Sequence, residues 1–157
     1  MSSRAAVRRA TADDAGVLAR LLWDFNTEFE TETDDVGVLE VRFARLLGLP
    51  EIVAVLAEDD GRAVGFALMS LRPAIWFDGP VSQLEELYVV PGLRSHGIGT
   101  EILDLCRSLA RDLGSPEMHI GVDEVDVDTR RFYERHGFLN IEAGVDYRML
   151  YYVGPTG

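Results

Sequence analysis

The spacing of hydrophobic residues alternates between helical and strand periods along the chain. Residues 17–29 place apolar side chains three and four positions apart, which predicts an amphipathic helix, and residues 11–14 form a capping box before it. A second helical pattern over residues 39–47 ends at Gly48, a residue type that often terminates helices. With a short strand over residues 5–10, the N-terminal third is expected to contribute one strand and two helices.

The middle of the chain switches to strand patterns and then returns to a helix. Three strands are predicted, over residues 51–57, 63–71 and 81–90. The tight turn at residues 59–61 predicts that the first two pair antiparallel. Residues 98–109 carry a helical apolar face, and a strand follows at residues 118–122. A strand, a helix and a strand in this order imply a parallel strand pair with a right-handed crossover.

The C-terminal part is predicted to hold a short helix and two more strands. The helix covers about residues 126–136, and the strands cover residues 138–143 and 147–153. No internal repeat and no linker rich in Pro, Gly or Ser interrupts the pattern, so residues 1–157 are expected to form a single domain. The predicted fold class is α/β, with a central mixed, mostly antiparallel sheet flanked by about four helices.

Composition and charge narrow the classes of function. Hydrophobic residues make up 47% of the chain and charged residues 27%, which is typical of a folded domain. The net charge of −12 argues against binding to nucleic-acid phosphates. The acidic surface would suit a cationic substrate, although the simpler interpretation is that it only keeps the protein soluble. Cys106 is the only cysteine, so an intrachain disulfide and a four-cysteine zinc site are excluded.

The distribution of apolar residues also bears on location. No apolar run approaches the roughly 18–20 residues that a membrane span needs, and the N-terminus shows no signal-peptide pattern. With its lone cysteine, the chain is therefore expected to be cytoplasmic and without a membrane partner. Acidic residues crowd positions 123–128, but the following loop has Arg130 and Arg131 where a calcium loop needs a ligand and a glycine, so no metal is expected.

A glycine-rich turn at residues 94–99 lies between a predicted strand and a predicted helix. Glycines allow backbone N–H groups to approach an anion, and the start of a helix favours negative charge, so the turn could bind a diphosphate. A purely structural tight turn is the alternative. The sequence lacks the Gly-Lys-Ser/Thr ending of a P-loop and the three-glycine pattern of dinucleotide-binding folds.

The arginine-x-x-glycine-x-glycine pattern of Arg94, Gly97 and Gly99 resembles the signature of the GNAT superfamily of N-acetyltransferases. Residues 84–91 are similar to the central strand of that superfamily, and residues 132–138, which read Phe-Tyr-x-x-x-Gly-Phe, are similar to its tyrosine segment. The specific matches cover about residues 81–140, and the N-terminal third matches only in its order of elements. The chain is thus identified as a member of the superfamily, which implies a GNAT-like fold and acetyl-CoA as the acyl donor.

The resemblance also implies which residues bind the acyl donor. The strand backbone would pair with the pantetheine arm, and the glycine-rich turn with the start of its helix would hold the pyrophosphate. The superfamily often has an asparagine six residues before the Phe-Tyr pair, where this chain has an aspartate that can accept but not donate a hydrogen bond. The residues so implied are Leu87, Tyr88, Val89, Arg94, Ser95, His96, Gly97, Ile98, Gly99, Thr100 and Asp126.

Catalysis requires a proton acceptor for the amine and a proton donor for the leaving thiolate. Tyr133 lies in the tyrosine segment and is expected to be the general acid, unless it is a core residue. Glu85 is expected to take the proton of the amine, because the strand resembles that of polyamine acetyltransferases. Glu86 and a water molecule remain alternatives, since alternation points Glu85 and Glu86 to opposite faces unless a bulge intervenes. The N–H of Val89 could polarise the thioester carbonyl.

The resemblance also implies that the acceptor amine binds near the first two helices, their connection and the loop before the central strand. Four residues there could hold an ammonium group by charge and by cation–π contacts, Trp23, Glu28, Trp76 and Asp78, although they could also be core or solvated residues. This favours a small cationic amine as the substrate. A protein or peptide amine is an alternative acceptor, and a non-catalytic acyl-CoA sensor is an alternative function. A homodimer is possible from the resemblance.

Overall fold

The computed structural model describes residues 5–157, so the first four residues of the predicted domain 1–157 lie outside the description. The chain divides into two compact units, Met1–Ile120 and Gly121–Gly157. The first unit contains the whole sheet and three helices, and the second contains one helix. The expectation of one domain stays a prediction.

Five strands form one sheet whose order follows the sequence. They are β1 (Ala6–Arg9), β2 (Ile52–Asp59), β3 (Arg62–Arg72), β4 (Val81–Val89) and β5 (Met118–Ile120). The strands from β1 to β4 pair antiparallel, and β4 pairs with β5 in parallel. This arrangement confirms the predicted mixed, mostly antiparallel sheet and the parallel pair after the crossover helix.

The described residues form four α-helices that match the helical patterns in the sequence. They are α1 (Ala15–Glu28), α2 (Val36–Leu47), α3 (Ile98–Asp112) and α4 (Val127–Arg135). The predicted capping box is present, because the Asp14 carboxylate accepts a 2.8 Å hydrogen bond from the Thr11 N–H. It closes a single 3₁₀ turn that leads into α1.

Two hydrophobic layers cover the two faces of the sheet. On one face, α1 and α2 enclose a cluster that includes Leu18, Phe43, Phe66 and Tyr88. On the other face, α3 packs so closely that a Cβ placed on Gly65 would lie 3.0 Å from Ile102 Cδ1. The core therefore fixes β4 between the helices that precede it and the helix that follows it.

Cys106 belongs to the layer under α3. It is 1% exposed, and burial raises the pKa of its thiol to about 12. A thiol with so high a pKa is almost entirely protonated at neutral pH and is a poor nucleophile. Cys106 is therefore a small core residue on the buried face of α3.

The last two predicted strands are wrong. Residues 138–143 and 147–153 form no ladder in the structure, and one backbone hydrogen bond, from the Met149 N–H to the Asn140 C=O at 2.7 Å, joins them. Alternating and β-branched residues favour a strand only where a neighbouring strand completes its hydrogen bonds. In the structure these residues are almost entirely irregular, with one turn at residues 143–144 where Gly144 has a φ of 85°.

Within residues 5–157, no helix has both the length and the apolar character that crossing a bilayer requires.

Candidate active site

The glycine turn, residues 94–99, connects the end of β4 to the start of α3. A 3₁₀ turn at Pro91–Leu93 precedes it, and Gly97 is the N-cap of α3. Ser95 and Gly97 have φ values of 65° and 87°, in the left-handed region. Alternating left-handed residues orient successive N–H groups toward one side, which makes a concave site for an anion.

The start of α3 adds further hydrogen-bond donors to this turn. The first bond of the helix runs from the Glu101 N–H to the Gly97 C=O at 3.0 Å, so the N–H groups of Ile98 and Gly99 have no partner within the helix. A Cβ placed on Gly97 would meet no heavy atom within 4 Å. The turn is therefore open on that side, and its N–H groups could bind an anion.

One edge of β4 is open beside the turn. The pairing of β4 with β5 covers Ser82, Gln83 and Leu84, and β5 ends at the partner of Leu84. Within the described part of the first unit, no strand pairs with that edge of β4 at residues 85–89. The Val90 N–H donates to Val64 on β3, so the neighbouring N–H of Val89 points toward the open edge. An extended ligand could pair there as a strand does.

Arg94 turns back from the glycine turn toward α1 and β4. Its Nε donates to the Val89 C=O at 2.9 Å, and its two terminal nitrogens contact the Glu28 carboxylate at 2.7 and 2.9 Å. The hydroxyl of Tyr88 donates to the same carboxylate at 3.2 Å. Burial and the Glu28 charge raise the pKa of Tyr88 to about 12. Glu28, predicted to bind the acceptor, thus has partners at the glycine turn.

A β-bulge on β4 brings two carboxylates to one face of the sheet. Leu68 of β3 is opposite Glu86 and Met69 is opposite Leu84, so Glu85 is the extra residue. Glu86 lies on the face of Leu68, which is covered by α1 and α2. The Glu85 carboxylate reaches the same face, because it accepts a 2.7 Å hydrogen bond from the hydroxyl of Ser70, two residues along β3 from Leu68.

The two carboxylates of this pair differ in environment. Glu85 is exposed and hydrogen-bonded to Ser70, whereas Glu86 is half-buried. Burial, together with the neighbouring charge of Glu85, raises the pKa of Glu86 to about 6. At neutral pH, Glu86 is thus mostly ionised but takes up a proton more readily than an ordinary glutamate.

The other residues predicted to bind the acceptor are spread over two regions of the first unit. Trp23 on α1 packs partly against the core, and the Arg20 guanidinium lies 5.0 Å from the centre of its ring. Trp76 and Asp78 lie in the loop between β3 and β4, where Trp76 is 86% exposed. A cation of the protein therefore already occupies one face of Trp23, whereas Trp76 is open to solvent.

Tyr133 and Asp126 belong to the second unit. Tyr133 is buried on α4, and its ring packs edge-on against Phe132 and Phe138, with centroids 5.3 and 5.7 Å away. Asp126 is the N-cap of α4 and is exposed. The Phe-Tyr-x-x-x-Gly-Phe segment thus forms one aromatic cluster around Tyr133, and the catalytic role of Tyr133 stays a prediction.

Two contacts at this site escaped the sequence analysis. Ser70, which holds Glu85, lies on a neighbouring strand, and its significance depends on the strand register. Glu28 and Arg94 are 66 residues apart, and nothing in the local pattern of either predicts their contact. Among residues 5–157, no group of three or more His, Cys, Asp or Glu side chains is arranged to hold a metal ion.

The chain is similar to acetyltransferases over most of its length. The sequence model of the acetyltransferase (GNAT) family matches residues 17–138. An uncharacterized N-acetyltransferase of Mycobacterium tuberculosis is 30% identical over 104 residues, which are 66% of this chain. The match spans 64% of that relative, just under two thirds of its length.

Two further relatives match over larger shares of their length. The aminoglycoside N(6')-acetyltransferase type 1 of Klebsiella aerogenes is 34% identical over 111 residues, or 68% of this chain and 70% of the relative. The crystal structure of a protein assigned as an acetyltransferase, from Arthrobacter sp. FB24, is 41% identical with a TM-score of 0.89. That comparison covers 99% of this chain and 98% of the other.

Proposed function

The chain belongs to the acetyltransferase (GNAT) family, and from this membership we propose that it transfers the acetyl group of acetyl-CoA to the primary amine of a small cationic molecule. The observation that carries the proposal is the glycine turn, with its left-handed residues Ser95 and Gly97 at the start of α3, next to the open edge of β4. Acetyl-CoA carries both a diphosphate, which suits the N–H groups of the turn, and an extended arm, which suits the open strand edge.

In this proposal the acyl donor is held mostly by backbone groups. The N–H groups of residues 95–100, which follow Arg94 in the turn, would bind the pyrophosphate, and the edge of β4 at Leu87, Tyr88 and Val89 would pair with the pantetheine arm. Acetyl-CoA would supply the acetyl group as a thioester and the leaving group as a thiolate. The N–H of Val89 would donate to the carbonyl oxygen that gains negative charge during the attack.

The proposed proton acceptor is the carboxylate pair of β4. The resemblance implies that Glu85 takes the proton of the amine, and the bulge puts Glu85 and Glu86 on the same face of the sheet. We assign Glu85, which is exposed and held by Ser70, to meet the ammonium group, and Glu86 to take its proton, because the pKa of Glu86 is raised to about 6. Once this proton has moved, the nitrogen lone pair can attack the thioester carbon.

The proposed proton donor is Tyr133. A tyrosine hydroxyl has an ordinary pKa of about 10, which is close enough to that of a thiol for transfer to the departing thiolate. The aromatic cluster of Phe132, Tyr133 and Phe138 supports a fixed position of the ring. Asp126 remains a proposed contact of the coenzyme A arm.

A cationic acceptor is supported by charge. The chain carries 27 acidic against 15 basic residues, and Glu85 and Glu86 lie side by side on one face of the sheet. The relative from Klebsiella aerogenes is named for aminoglycosides, which are polyamines. Trp76 and Asp78 are proposed to contact the acceptor from the exposed loop before β4. Carboxylates and an exposed indole together favour an ammonium group.

The test is release of coenzyme A by purified protein with a panel of amines, namely spermidine, an aminoglycoside, a neutral amino-acid amide and a basic peptide. We expect the first two to react fastest, with kcat/KM falling several-fold between roughly 0.02 and 0.2 M salt, because screening weakens charge attraction. Preference for the peptide would favour protein acetylation. Binding of acetyl-CoA without turnover of any amine would favour a sensor. A neutral substrate with no salt dependence would overturn the cationic acceptor alone.

A further inference from the structure

Both oxygens of the Glu28 carboxylate at the end of α1 are engaged by residues of β4 and the glycine turn. Oε1 accepts from Arg94 at 2.9 Å and from the Tyr88 hydroxyl at 3.2 Å, and Oε2 lies 2.7 Å from the other terminal nitrogen of Arg94. A carboxylate and a guanidinium joined by two parallel contacts form a strong, directional pair. The pair therefore ties α1 to the first residue of the turn.

The remaining contacts of Arg94 also hold it on the protein. Its Nε donates to the carbonyl of Val89, the last residue of β4. The guanidinium carbon lies 5.5 Å from the ring centre of Tyr88 and 5.7 Å from that of Phe29. The positive charge is thus compensated by Glu28 and flanked by two rings, which leaves it less able to serve as a phosphate ligand.

Because of its position in the chain, Arg94 can stabilise the conformation of the glycine turn. Arg94 directly precedes Ser95, whose φ of 65° is costly for a residue with a side chain, and Gly97 follows at 87°. Such a conformation persists only where its surroundings hold it. On the strand side, the Nε bond holds the carbonyl of Val89, whose N–H faces the open edge of β4.

We propose that Glu28 is a positioning residue for the acyl-donor site, and that Arg94 is a structural strut between α1, β4 and the glycine turn rather than a ligand of the pyrophosphate. This inference rests on the proposed binding of acetyl-CoA at the turn. It assigns Glu28 to the acyl-donor side, whereas the sequence suggested the acceptor side. Its consequence is that affinity for acetyl-CoA depends on the C-terminal end of α1.

The experiment measures the Kd of acetyl-CoA by calorimetry for the wild type and for Glu28→Gln. If Glu28 and Arg94 have this structural role, Glu28→Gln should raise the Kd of acetyl-CoA by roughly tenfold, which is within the range of interaction energies between contacting residues. The kcat at saturating acetyl-CoA should change less than KM. If Arg94 is a phosphate ligand, the same substitution releases its charge and binding becomes tighter. Tighter or unchanged binding by Glu28→Gln would overturn the inference.

Further variants at Arg94 test the same inference if Glu28→Gln is poorly folded. Arg94→Lys keeps the charge but loses the two-pronged contact with Glu28. If Arg94 has this structural role, Arg94→Lys should bind acetyl-CoA as weakly as Arg94→Gln, whereas a phosphate ligand predicts that lysine restores part of the binding that Arg94→Gln loses. The double variant Glu28→Gln with Arg94→Gln should bind acetyl-CoA no more weakly than the weaker-binding single variant, because each substitution already removes the contact between Glu28 and Arg94. Additive losses would contradict the strut.

The matched control is Glu58→Gln. Glu58 on β2 contacts Arg8 Nε at 2.8 Å in another arginine–glutamate pair, and it lies outside both proposed sites. Its loss should leave the Kd of acetyl-CoA unchanged, and thermal unfolding of every variant separates loss of folding from loss of binding. A wild-type protein that does not bind acetyl-CoA would overturn the proposed function together with this inference. Equal binding by wild type and Glu28→Gln overturns the inference alone.

Discussion

The glycine turn and the carboxylate pair of β4 lie in the same unit but work through different parts of the chain. The turn offers backbone N–H groups, and its conformation depends on Ser95 and Gly97 in the left-handed region. The pair offers two side chains whose difference comes from a bulge, a hydrogen bond from Ser70 and the burial of Glu86. Backbone sites tolerate changes of side chain that keep the conformation, whereas side-chain sites depend on single functional groups.

The largest expected effect belongs to a side chain. Tyr133→Phe removes the proposed proton donor and should lower kcat by roughly 10- to 10⁴-fold with little change in the Kd of acetyl-CoA. Steady-state kinetics with spermidine and calorimetry measure the two quantities. The control is Tyr147→Phe, at a residue that is 66% exposed in the same unit, which should behave as wild type. An unchanged kcat for Tyr133→Phe, where chemistry limits turnover, would remove Tyr133 from the mechanism.

The next effect separates the two carboxylates by pH. If ionised Glu86 takes the proton, kcat/KM should rise with pH through a limb near the pKa of about 6, and Glu86→Gln should abolish this limb and lower the rate by roughly 10²-fold. Glu85→Gln should instead move the limb to lower pH, because the charge of Glu85 raises the pKa of Glu86. If Glu85→Gln abolishes the limb and Glu86→Gln preserves it, Glu85 is the proton acceptor.

The smallest of these effects tests the backbone character of the turn. Gly97→Ala puts a side chain at a φ of 87°, which should cost about 1 kcal/mol of stability and weaken acetyl-CoA binding by roughly tenfold. Gly92→Ala is the matched control in the preceding 3₁₀ turn, where a Cβ would also meet no heavy atom within 4 Å and φ is not positive. Calorimetry and thermal unfolding distinguish the variants. A folded Gly97→Ala protein with unchanged affinity would show that the glycine turn does not bind the pyrophosphate of acetyl-CoA.

The predictions from sequence succeeded where a structural feature depends only on residues close together in the chain. The capping box at Thr11 and Asp14, the apolar face of α3 and the glycine turn at residues 94–99 depend on residues a few positions apart, and the structure contains all three. The strand predictions for residues 138–153 failed because a strand needs a partner, which a local pattern cannot supply. Local order in helices and turns was therefore easier to infer than pairing.

The sequence by itself determined the order of helices and strands in Met1–Ile120, the glycine turn and the family, because these depend on periodicity and on a short motif. Only the tertiary structure decided that Glu85 and Glu86 share a face, since the bulge exists only in the register between β3 and β4. It also decided that Glu28 meets Arg94, across 66 residues of chain. Register and long-range contact follow from packing the whole sheet against its helices, and no short segment encodes them.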